Sequence, residues 1–134
     1  MQNVPVVENA DGRRRAAAGV SAPVIVTDVN RVLTVAEFVN AGGQIHCQVT
    51  ASSGSIDVAL PAAATVTGYS LTLFKLNGGA TVALLATNDD TIEGSSANRR
   101  YQNATNERAC VVVFSNGAQW SVVSQKGTWV VNNA

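Results

Sequence analysis

Asn116-Gly117 stands between two runs of β-forming residues, Ala109-Cys110-Val111-Val112-Val113-Phe114 before it and Gln119-Trp120-Ser121-Val122-Val123-Ser124 after it. An Asn-Gly pair in that setting is the strongest short-range hairpin signal, because a type I′ turn needs positive φ at both central residues. The expectation is an antiparallel hairpin that closes the C-terminal half of the chain. Trp120 falls just past the turn, where an aromatic ring packs well on a pleated surface, so a structural role is expected for it.

The rest of the chain is built from the same kind of parts. At 134 residues it is long enough for one domain with a real core. With 46% hydrophobic and only 13% charged residues, a disordered chain is excluded. The excess of Val and Ala with short polar breaks favours sheet over amphipathic helix. Residues 44–50 alternate cleanly, with Ile45, Cys47 and Val49 on one side and Gln44, His46 and Gln48 on the other. Ile56, Val58 and Leu60 form the next inward set, and Ser52 to Ser55 read as a hairpin turn between the two. Residues 69–76 are apolar on both faces around Phe74, which predicts burial on both sides. Asn77-Gly78-Gly79 then predicts a second hairpin, into residues 80–86. Residues 24–26, 31–35, 91–92 and 128–131 add short strands, 36–39 a helical turn, and 94–106 a long polar loop.

These elements predict an all-β fold: a small antiparallel β-sandwich, jelly roll or β-prism, as one domain over residues 24–134. No internal repeat of 20–50 residues is visible. Residues 1–23 lack any periodicity that could bury a face and read as an extended N-terminal arm carrying Arg13-Arg14-Arg15. Such an arm is expected to order on docking to a neighbouring subunit.

Taken in order, Leu60-Pro61-Ala62-Ala63, Thr91-Ile92-Glu93-Gly94 and the closing Val113-Phe114-Ser115-Asn116-Gly117-Ala118-Gln119-Trp120-Ser121-Val122 hairpin resemble a β-rich module of bacteriophage virion proteins. That module occurs in capsid decoration (cement) proteins, head fibres and tail-fibre tips, and the likeness runs from about residue 31 to 123. The resemblance implies a non-enzymatic protein that binds and stabilises the assembled shell, with the major capsid protein or other virion subunits as partners. It also implies a homo-oligomer, a trimer being favoured. No shaft-like repeat is present, which favours decoration over fibre. The alternative it implies is a head- or tail-fibre module contacting host surface glycan.

Charge and motifs are consistent with that expectation. Nine basic and nine acidic residues leave the chain formally neutral, which disfavours a global nucleic-acid binder. No apolar signal region and no stretch of about 18 apolar residues occurs, so no membrane role is expected, and assembly into virions is expected in a host cytoplasm. Cys47 and Cys110 both alternate onto the apolar side of their strands and read as buried free thiols. Two cysteines with one histidine make no credible zinc site. His46 sits on a polar strand face without an orienting carboxylate or a nucleophile. Asp89, Asp90 and Glu93 match no calcium loop and read as a solvated turn. No catalytic, cofactor-binding or metal residue is expected. The candidates for capsid or subunit contact are Arg13, Arg14 and Arg15 in the arm, and Arg99, Arg100 and Tyr101 in the polar loop. Trp129, near the C-terminus, completes the set. For the Arg99 cluster, glycan contact is the equal alternative.

Overall fold

The computed structural model describes residues 22–77, 79–105 and 107–132. Ten strands and one helix follow in chain order: β1 (Val24–Thr27), β2 (Arg31–Val32), α1 (Val35–Asn40), β3 (Gln44–Thr50), β4 (Ser55–Ala59), β5 (Ser70–Lys75), β6 (Thr81–Leu85), β7 (Arg100–Asn103), β8 (Ala109–Ser115), β9 (Trp120–Lys126) and β10 (Val130–Asn132). They form two five-stranded sheets, β1-β3-β5-β8-β9 and β10-β7-β6-β4-β2. The all-β sandwich is therefore as expected.

Its strand directions are not. β1, β3 and β5 run parallel in the first sheet, as do β2, β4 and β6 in the second. The later strands pair antiparallel: β8 with β5 and β9, and β7 with β6 and β10. Residues 24–85 thus wind as three stacked coils, each one strand of the first sheet, a corner, and one strand of the second. Gln44 lies beside Ser70 and Ser55 beside Thr81, so the second and third coils are 26 residues apart, whereas Val24 lies beside Cys47 and Arg31 beside Val58, offsets of 23 and 27 residues.

The two expected hairpins at 52–55 and 77–79 are corners of this stack, because β3 and β4 lie in different sheets, as do β5 and β6. The corners bond to one another instead of closing hairpins. Asp28 N donates to Thr50 O at 3.0 Å, and Asp28 Oδ1 accepts from Ser52 N at 2.8 Å. Asn77 Oδ1 accepts from Ala51 N at 3.2 Å. At the other end the coils stack through Leu33 N to Ala59 O and Leu60 N to Leu85 O, both 2.9 Å. The connection there in the first coil is α1, started by a capping box in which Thr34 and Glu37 bond each other's backbone N–H.

β8 and β9 do form the predicted hairpin, with Ser115 opposite Trp120. The turn is not type I′. Only Gly117 has positive φ, at +93°, and the Asn116 side-chain oxygen accepts from both Ala118 N and Gln119 N at 2.9 Å. Trp120 is fully buried behind it, packed against Phe38 with ring centroids 6.0 Å apart. Most of the remaining core is aliphatic, Val26, Leu33, Ile45, Val49, Val58, Leu60, Leu71, Leu73, Leu84, Val111 and Val113 among them, joined by Tyr101 and Trp129.

Phase differs from expectation on two strands. Phe74 is only half-buried, on the outer face of the first sheet, where His46 stacks on it at 6.3 Å. Cys110 lies beside Phe74 on that outer face, half-exposed, whereas Cys47 is fully buried. Both thiols are free, and they sit on opposite faces of the sheet. The polar loop expected at 94–106 contains β7, whose Tyr101 and Asn103 turn inward.

Candidate functional site

Three places in the molecule carry polar chemistry or uncovered surface. The first is the outer side of the first coil. Among the described residues, β1 has β3 as its only strand neighbour and β2 has only β4, so both present an open edge there. Of the seven exposed large hydrophobic residues among those described, five belong to this coil: Ile25 (59% exposed), Val29 (59%), Val32 (66%), Val35 (37%) and Val39 (55%). Val35 and Val39 lie one helical turn apart and share a face of α1. Arg31 pairs with Glu37 beside them. Open edges with apolar side chains are what a partner covers.

The second is a groove of about 260 Å³ on the outer face of the second sheet, lined by Ser55, Asp57, Thr81, Ala83, Arg100, Gln102 and Asn132. Alternation along β4, β6 and β7 brings these side chains to one face. Arg100 grips Asp57 as a fork, Nε to Oδ1 at 2.9 Å and Nη2 to Oδ2 at 2.8 Å. That bond raises the guanidinium further above its ordinary range. Asn132 Nδ2 donates to Gln102 Oε1 at 3.0 Å, so the groove wall is itself held in place.

The third is buried. Lys75 is 1% exposed and Asn103 fully buried, on β5 and β7 of opposite sheets. Lys75 Nζ donates to Asn103 Oδ1 at 2.8 Å and to Thr105 O at 2.6 Å. Asn103 Nδ2 donates to Glu107 Oε1 at 3.1 Å and to Thr128 O at 2.9 Å. Glu107 Oε1 also accepts from Thr105 Oγ1 at 2.5 Å and Thr128 N at 2.8 Å. The Thr105 hydroxyl bond, the Thr128 N–H and the Asn103 amide together hold the Glu107 carboxyl down at about 2. Burial pushes the Lys75 ammonium below its ordinary value, and the Glu107 charge only partly opposes this. The sequence carries a signal for this cluster that the expectations above passed over. Lys75 shares the period-2 phase of Leu71 and Leu73, which turns it inward.

The residues expected at contacts are scattered. Arg13, Arg14 and Arg15 lie outside the described residues. Arg100 is in the polar groove, while Arg99 is half-buried beside it in sequence, its Nε enclosed without a partner. Tyr101 and Trp129 are corrected. They are 6% and 5% exposed and stack on each other at 6.0 Å. Tyr101 OH donates to Gln125 Oε1, and Trp129 Nε1 to Lys126 O at 3.0 Å. Both are used up inside their own chain, because inward phase on β7 and the tight 127–129 corner carry them into the core.

The acidic group at 89–93 ties its loop to itself, to Ala63 and to β9. Asp90 Oδ2 accepts from Ala63 N at 2.6 Å, Asp89 Oδ1 from Asn98 Nδ2 at 2.9 Å, and Glu93 Oε1 from Val122 N at 3.2 Å. Among the described residues no three His, Cys, Asp or Glu side chains converge as a metal site. No helix among them is long and apolar enough to cross a membrane. No known protein family describes this chain, and no curated protein is similar to it in sequence.

Proposed function

We propose that this protein is a bacteriophage virion decoration protein, which binds an assembled shell and stabilises it without substrate turnover. The observation that carries the reading is the uncovered first coil, with two open strand edges and five exposed apolar side chains on a chain of zero net charge. Burial of such a surface is worth roughly 25 cal/mol per Å², enough for a few side chains to dominate a contact. The shell subunits are its partners, and Arg13, Arg14 and Arg15, which precede the coil in sequence, add charged contacts to them. The test is co-sedimentation of purified protein with shells that lack it. The double variant Val32→Asp, Val39→Asp replaces exposed side chains only, so it should fold and lose shell occupancy. Occupancy equal to the unaltered protein overturns the reading.

A second reading is host-glycan contact, favoured by the Asp57–Arg100 groove, whose Ser, Thr, Asp, Arg, Gln and Asn side chains are of the hydrogen-bonding kinds that hold sugar hydroxyls. Glycan-array binding abolished by Asp57→Ala, with shell binding intact, selects it.

A further inference from the structure

We propose that Lys75 and Asn103 join covalently, through an isopeptide bond made by the folded protein itself, with Glu107 as its proton carrier. Three observations converge. The amine and the amide are in contact at 2.8 Å, both side chains are shut away from water, and a carboxylate bonds the nitrogen that must leave. Alignment of two reacting groups in a fixed site replaces a bimolecular encounter and lowers the barrier substantially.

The chemistry balances without any other reagent. Glu107 takes one proton from the Lys75 ammonium through Asn103 Oδ1, which accepts from Nζ, and the Thr105 hydroxyl, which bridges Oδ1 and Glu107. The freed Nζ lone pair attacks Asn103 Cγ, and the carbonyl electrons move onto Oδ1. Collapse of this intermediate re-forms the carbonyl and breaks the Cγ–Nδ2 bond. The second Nζ proton passes to Nδ2, which leaves as ammonia and collects the Glu107 proton as ammonium. One C–N bond is made and one broken, and no electron is gained or lost. Burial favours the neutral amine that the attack requires, and a carboxylate in contact with the leaving nitrogen is placed for general acid–base transfer. The event occurs once per chain, so it is maturation rather than turnover. The bond links β5 of the first sheet to β7 of the second, closing residues 75–103 into a ring.

Intact mass of the denatured full-length protein tests this. The expected mass is lower by one ammonia than the mass the sequence gives, and a protease digest should contain a branched peptide joining Lys75 to residue 103. Lys75→Met and Glu107→Gln should each show the full mass of their own sequences. The Glu107 variant should stay folded, because its amide keeps an oxygen for the Thr105 and Thr128 donors. An unaltered protein at full sequence mass, with Lys75 and Asn103 recovered in linear peptides, overturns the proposal. So does loss of ammonia that persists in the Lys75→Met variant.

Discussion

Glu107 shows how one side chain couples several segments to pH. Its carboxyl sits at about 2 in the folded protein against 4.5 for a free group. Above about 4.5 the carboxylate is ionised in both states and its bonds contribute fully. As pH falls from about 4.5 to 2 the unfolded chain binds the proton first, so folded stability declines across that window. Denaturant midpoints measured from pH 6 down to pH 2 should therefore slope downward, and Glu107→Gln should flatten the slope. Trp120 is the opposite kind of residue, important for volume rather than charge. It is fully buried, touches Phe38, and donates from Nε1 to Pro61 O at 3.3 Å. Trp120→Ala should cost about 3–5 kcal/mol, a large share of the roughly 5–15 kcal/mol that a domain has. Thermal melting should show a collapse of the transition or insoluble protein. The Trp120 role was legible in the sequence because Asn-Gly fixes where the strand begins. The phase of β8 was not. Ala109 to Phe114 is apolar at every position, so alternation gives no sign of which side Cys110 takes. The structure answers with Ser115, which turns inward and bonds Ala63 O at 2.6 Å.

At the scale of elements, nearly every strand was legible, yet half the pairings were not. A strand, a short Gly or Asn break and another strand describe a hairpin and an inter-sheet corner equally well. The local backbone needs the same residues in both cases, and only long-range pairing tells them apart. The three corners also share no common motif: Asp28-Val29-Asn30, Ser52-Ser53-Gly54 and Asn77-Gly78-Gly79. The recurrence of the coils is therefore one of geometry and not of letters. β7 was hidden for a different reason, since Arg100-Tyr101-Gln102-Asn103 is polar enough to read as loop while only two side chains enter the core. Gly79 tests the corner stack. A Cβ there would meet Ser52 O at 2.6 Å, backbone against backbone, so Gly79→Ala should cost about 1–3 kcal/mol through forced displacement. Gly117→Ala should cost about 1–2 kcal/mol, because its φ of +93° disfavours any side chain. Chemical denaturation of the two variants measures both. If Gly79→Ala is neutral, the corners do not pack as described.

For the whole molecule, the sandwich was legible from composition and alternation, whereas the buried Lys75–Asn103–Glu107 cluster unites positions that only the tertiary fold brings together. We expect a homo-oligomer in solution, because a neutral chain with open edges gains by covering them, and the resemblance to the phage module favours a trimer. Sedimentation should give a multiple of the 13.9 kDa chain, and the Val32→Asp, Val39→Asp variant should shift it toward monomer if the first coil forms the contact. A monomer at every concentration overturns the expectation.

The winding of the coils also orders events while the chain is being made. β1 waits for β3 and β3 for β5, each partner arriving about two dozen residues later, so the stack grows in the direction of synthesis. The antiparallel strand β8 joins β5, and β9 joins β8, only after the three coils have been made. Domains fold as they emerge, and unpaired strand edges exposed during that time are where nascent chains misassemble. The first coil is the earliest surface to appear and the last to be covered, since nothing later in the described chain pairs with its outer edge. Rapid synthesis therefore places many copies of the same sticky edge side by side. Yield of soluble protein should depend on how soon a partner reaches that edge.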